Sequence, residues 1–144
     1  MGKRFILSWL FSALSMFGIS YAWHGIFLND ISHLQYPMGV FLVASSIVYL
    51  FIGFVLTKVF SSQFVHNAFR NFFTRGLICG AILGLLFYMI ALVMGISFSN
   101  SITLSSILFD VPWQIFEQAF GGLIVATVYA LVYEHIPVKR PAEA

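Results

Sequence analysis

Asp110-Val-Pro-Trp-Gln-Ile-Phe-Glu-Gln-Ala-Phe-Gly-Gly122 opens the last of four long apolar segments and carries the one carboxylate placed well inside such a segment, Glu117. Asp110 suits an N-cap, because its side chain can accept hydrogen bonds from the free N–H groups of the following turn. Pro112 suits a first helical turn, where a missing N–H costs nothing. Helical spacing then lines up Asp110, Gln114, Glu117 and Gly121 on one face. Glu117 falls roughly 10 Å along the axis from Asp110 at about 1.5 Å per residue. A carboxylate at the centre of a bilayer costs on the order of 2.5–3.5 kcal/mol on insertion scales. Two readings of such a residue compete: a functional titratable group, or a hydrogen-bonded packing device.

The surrounding composition says which solvent applies. The chain has 144 residues, 60% of them hydrophobic and 8% charged, against about 45–50% and about 25% in soluble domains. A soluble fold cannot hide that much apolar surface, so the expectation is an all-α membrane protein. Four segments, about 5–27, 37–57, 76–98 and 111–133, are each 21–23 residues long, and about 20 residues cross the hydrocarbon. They form one expected domain over 1–136, an up-down bundle of four transmembrane helices, with 137–144 a disordered tail. Met1-Gly-Lys-Arg before an apolar run imitates a signal peptide, but the run to Phe27 exceeds an ordinary signal core and is read as a retained first helix.

The seven basic residues set the expected orientation. Lys3 and Arg4 precede the first span; Lys58, Arg70 and Arg75 lie between the second and third; Lys139 and Arg140 follow the fourth. The loops 28–36 and 99–110 contain neither Lys nor Arg. The positive-inside rule makes the basic side cytoplasmic, with both termini there, and the expected location is the bacterial inner (plasma) membrane. The net charge of +2 and the lack of a basic patch exclude nucleic acid as a partner class. The lone Cys79 permits no disulfide within the chain.

Between spans two and three, residues 58–75 show a helical period. Phe60, Phe64, Val65, Ala68, Phe69, Phe72 and Phe73 share one side, with Arg70 and the polar residues mostly on the other. The pattern predicts an amphipathic helix lying in the membrane interface, with Phe60, Phe64, Phe69 and Arg70 as its interfacial residues. In span three, Gly76, Gly80 and Gly84 recur every four residues, a small-xxx-small row for close helix packing, within the chain or between copies. Ser8, Ser12 and Ser15 form a similar small polar row in span one. Spans two and four begin alike, Pro37-Met-Gly-Val-Phe-Leu-Val-Ala and Pro112-Trp-Gln-Ile-Phe-Glu-Gln-Ala, as two related hairpins would.

The half of the bundle away from the basic residues collects the candidate ligand- or proton-binding residues His24, Asp30, His33, Asp110, Gln114 and Glu117. His24 and Glu117 have matching depths and are a candidate pair. Glu and His serve proton relays, metal ligands and acid–base couples, but no zinc, nucleophile-elbow or phosphate-loop motif occurs. No cofactor is expected, and any metal ligands are left unassigned. The leading expectation is a small-solute or proton-coupled carrier, or a subunit of one, with Glu117 as its intramembrane titratable group. Expected partners are the lipid bilayer and either a second copy of the chain or another membrane protein. A structural or assembly subunit without transport is the alternative, and a metal-dependent membrane enzyme the third reading.

Overall fold

The computed structural model describes residues 2–27, 37–98 and 104–132. Among them every regular element is helical: α1 (Lys3–Tyr21), a π-helical turn (Ala22–Phe27), α2 (Met38–Phe60), α3 (Gln63–Ala68), α4 (Phe72–Phe98) and α5 (Leu104–Leu131). Four helices are long and apolar enough to cross a membrane: α1 with its π turn, α2, α4 and α5. In hydrocarbon a helix satisfies its own backbone hydrogen bonds, which is why such apolar runs fold this way. The expected loop residues Asp30 and His33 and the tail 137–144 lie outside the described residues.

The first and fourth spans differ from the sequence reading. The fourth span starts at Leu104 rather than 111, so Asp110 and Pro112 lie inside α5 instead of capping it. The apolar residues Ile107, Leu108 and Phe109 let the helix start earlier. Pro112 removes a single backbone hydrogen bond, which a transmembrane helix tolerates. The first span ends in a π turn, not a plain α-helix.

The link 58–75 is not one helix. Its first residues extend α2 to Phe60, its middle is the six-residue α3, and its end opens α4 at Phe72. The Ser62 hydroxyl accepts the Val65 N–H and caps α3. Phe69 is extended, with φ −127° and ψ 117°, and breaks the helix. The Asn71 side-chain oxygen accepts the Phe73 N–H and starts the next one. Phe60 therefore leaves the interfacial set: it is fully buried, in a core with Met16, Ile52, Leu56, Cys79, Val125 and Ala126. Phe64 is 84% exposed, and Arg70 is exposed as well.

α5 is the central helix. A third of its apolar stretch (33%) is buried, against 17% for α2 and for α4. One side packs on α4 through glycine. A Cβ built on Gly76, Gly80, Gly84 or Gly122 would stand within 3.0 Å of atoms of the facing helix, most of them backbone. The row that the sequence offered for packing therefore faces α5 of its own chain. Another side of α5 meets α1, where Gly121 receives the Met16 side chain. α1 also holds α2. Gly53 lets the helices approach at Trp9 and Ala13, the Trp9 indole N–H donates to the Leu50 carbonyl at 2.7 Å, and Phe54 meets the rings of Phe5 and Trp9 edge-on.

The basic residues gather at one end. Arg4 donates to the Val132 carbonyl, tying the start of α1 to the end of α5. Lys58 lies 5.7 Å from the centroid of the Phe5 ring. Arg75 is buried with its guanidinium 4.0 Å from the Phe60 ring centroid and 4.7 Å from that of Phe72. It also contacts His66 Nδ1 at 2.6 Å. A desolvated cation over an aromatic face contributes up to about 2 kcal/mol. Arg75→Ala is expected to lose about that much stability, and Arg75→Lys to recover only part, since an ammonium cannot lie flat between two rings. Thermal unfolding of the two purified variants in one detergent checks this.

Candidate functional site: a cleft between α2 and α4 with Glu117 behind it

α2 and α4 touch at the basic end, through Ile52, Leu56, Phe60 and Cys79 in the common core. Toward the other end they separate. The gap is a cleft of about 790 Å³, open along one side, with α5 and the π turn forming its back. α2 supplies residues from Phe41 to Ile52, and α4 from Phe87 to Met94. Most are apolar. The polar exceptions are Ser45, Tyr49, Tyr88, His24, Asp110, Trp113 and Gln114. A cavity of this size falls within the range of about 300–1,000 Å³ usual for small-molecule sites, which are likewise mostly apolar with a few placed polar groups.

The π turn shapes the back wall. It carries Trp23 against Trp113 of α5, face to face, with centroids 4.1 Å apart and planes inclined by 13°. Single π turns recur at functional sites because the wider turn re-aims a side chain. His24, one residue on, faces the cleft.

Glu117 lies about two turns deeper than Asp110 and one turn deeper than Gln114, and it does not line the cleft. It is completely buried, and so is its neighbour Gln118. The polar groups around its carboxylate are Tyr49 of α2, Ser20 of α1 and Trp113 of its own helix. They stand within hydrogen-bonding range of it, although none meets either carboxylate oxygen in good hydrogen-bond geometry. The Gln118 amide, the Ser8 hydroxyl and the Trp113 indole N–H are also buried without hydrogen bonds. A buried polar group left short of good hydrogen bonds costs up to about 1–3 kcal/mol, more when charged, so this cluster is an expensive one for α5 to carry.

The candidate residues thus divide. His24, Asp110 and Gln114 meet at the cleft. Glu117 stands behind it, and no hydrogen bond joins it to His24. Matched depth along two helices says nothing about how each is rotated, and rotation turns His24 to the cleft and Glu117 to the α1–α2 side. Asp30 and His33 lie outside the described residues. Sequence reading missed Tyr49, Ser20 and Gln118 as companions of Glu117. The available signal was modest: Tyr49 is the one hydroxyl-bearing aromatic within the α2 span, and Gln118 is a second long polar side chain beside the acid.

Among the described residues no three His, Cys, Asp or Glu side chains converge as metal ligands would. No protein-family model, curated protein or solved structure matches the chain.

Proposed function

We propose that the protein is an integral membrane carrier for a small solute, with the cleft as the solute's place of entry and Glu117 as the intramembrane titratable group. The observation that carries this reading is the completely buried Glu117 carboxylate immediately behind a cavity of ligand size. Intramembrane acids are costly and mark ion or substrate paths. A carrier must open a route between such an acid and the cleft, and Tyr49 and Trp113, which border both, are the side chains that have to move.

The proposed setting is an up-down bundle in the bacterial inner membrane, working as a homo-oligomer or beside another membrane protein. The gathering of Lys3, Arg4, Lys58, Arg70 and Arg75 toward one end supports placing that end, with both termini, in the cytoplasm. Cysteine introduced as Ser32→Cys is then expected to react with a membrane-impermeant maleimide from the periplasmic face only, and labelling from the cytoplasm overturns the orientation. The exposure of Phe64 and Arg70 supports an interfacial place for α3 and the turn after it. Phe64→Asp gives up roughly 1.5–3 kcal/mol of apolar burial and should make 61–71 newly cleavable by protease in vesicles.

Carrier function itself is tested by access to Glu117. Dicyclohexylcarbodiimide, a membrane-soluble carboxyl reagent, is expected to modify Glu117 in vesicles, with the adduct located by mass spectrometry. A side chain with no exposed surface reacts only if the bundle opens. An unreactive Glu117 in folded protein overturns the carrier reading. It favours the second reading, an assembly subunit whose cleft seats a partner's helix, for which the apolar cleft lining speaks.

A further inference from the structure

The cleft has a charge sign as well as a shape. No Lys or Arg occurs anywhere from residue 5 to 57 or from 76 to 138, so the segments that build this end of the bundle carry no permanent cation. They do carry Asp110, which lines the cleft. A carboxylate in surroundings of low polarity, with no Lys or Arg in those segments and His24 as the basic side chain that shares its cleft, favours a positive ligand.

Aromatic side chains reinforce that sign. Phe41, Tyr49, Phe51, Phe87, Tyr88 and Trp113 all line the cavity. The faces of aromatic rings attract cations, tryptophan most strongly, and the attraction grows when the cation is desolvated. Tyr88 of α4 and Asp110 of α5 line the same cavity, so ring and carboxylate can act on one ligand. Trp113, one turn along from Asp110 and held by its stack on Trp23, supplies a second ring there.

The rest of the lining fixes the ligand's body. The apolar walls include Ala44, Val48, Ile90, Ala91 and Met94, and the exposure of Val48 and Phe51 on α2 and of Ile90 and Met94 on α4 leaves the side between these two apolar helices open. A ligand arriving through that side comes from the hydrocarbon. It must be apolar enough to dissolve there, and its charge must be spread or shielded.

We propose that the cleft binds a lipophilic cation, an amine or quaternary onium centre on an apolar or aromatic body, which enters from the bilayer between α2 and α4 and sets its positive centre between Asp110 and the rings of Trp113 and Tyr88. This names the solute class of the carrier reading and rests on that reading only for the transport step after binding.

The test uses the full chain purified in detergent, with tetraphenylphosphonium as the probe. Equilibrium dialysis against protein-free micelles removes simple partition into detergent. Wild type is expected to bind the probe saturably. Asp110→Asn should weaken binding about tenfold or more, and Asp110→Glu should stay within about threefold of wild type. Tetraphenylborate, of the same shape and opposite charge, should not compete. Thermal unfolding accompanies each variant. If Asp110→Asn does not fold, Tyr88→Leu serves instead, since it removes a ring face and no charge, and it should also weaken binding. Equal competition by tetraphenylborate, the absence of saturable binding, or unchanged affinity in a folded Asp110→Asn each overturns the inference. Uptake of the probe into proteoliposomes is measured separately. Binding without uptake supports the cation site and counts against the carrier, whereas a reactive Glu117 without binding leaves the carrier and removes this ligand class.

Discussion

Gly80→Val and Gly122→Val are each expected to prevent the bundle from forming, while Gly18→Ala leaves it as stable or more stable. The contrast comes from where each Cβ would go. At Gly80 it meets the Gln118 backbone, and at Gly122 the Gly76 backbone, closer than real Cβ atoms approach. Backbone cannot swing aside as a side-chain tip can, so α4 and α5 must separate along their whole contact. Overpacking of this kind costs about 1–3 kcal/mol, occasionally more, and close approach is the main source of helix association in lipid. Even Gly80→Ala should fall in that range. At Gly18 nothing lies within 4 Å, and Gly→Ala within a helix gains about 0.5–1 kcal/mol. Helix content and thermal midpoint of the three variants in one detergent give the answer. A folded Gly80→Val with a wild-type midpoint is incompatible with the α4–α5 seam.

Glu117→Leu is expected to raise stability and abolish transport together. The carboxylate is completely buried and its polar neighbours Tyr49, Ser20 and Trp113 hold it only outside good hydrogen-bond geometry, so replacing the acid with a similar apolar volume relieves a penalty of about 1–3 kcal/mol. The neighbours Tyr49 and Trp113 bring mostly apolar surface with which leucine can pack. If Glu117 existed to hold helices together, the same change would lower the midpoint and leave a poorly assembled protein. The opposite movement of stability and activity therefore separates the carrier from the assembly subunit. Unfolding measured by temperature in detergent supplies one axis and uptake into proteoliposomes the other. A destabilised Glu117→Leu would sink the functional assignment of this residue. Its effect should also be independent of His24, because no hydrogen bond joins the two. The double variant Glu117→Leu/His24→Gln is expected to show additive changes, as sites without a shared interaction do.

Much of this molecule is written locally. Span length and apolar composition place four helices, because every helix in hydrocarbon must satisfy its own backbone and needs about 20 apolar residues to cross. The basic residues divide the chain ends and loops into two sets without reference to any contact. The Gly76, Gly80 and Gly84 spacing marks a face of close approach, and Glu117 identifies itself as costly wherever its neighbours are.

The third dimension decided what those faces meet. Helices that are apolar all round have no polar stripe to say which side turns inward, so neither helix order nor rotation is encoded in periodicity. Only the packed bundle puts α5 between α1 and α4, sets the glycine row against Gln118 and Gly122 of the same chain, and turns Glu117 toward Tyr49 and Ser20 rather than His24. It also splits the phenylalanine-rich link. The periodicity of 58–75 treats Phe60 and Phe64 as equivalents, whereas Arg75 and Tyr129 draw Phe60 into the core and leave Phe64 outside. The cleft belongs to no single segment: it exists because α2 and α4 meet at one end through Ile52, Leu56, Phe60 and Cys79 and diverge at the other.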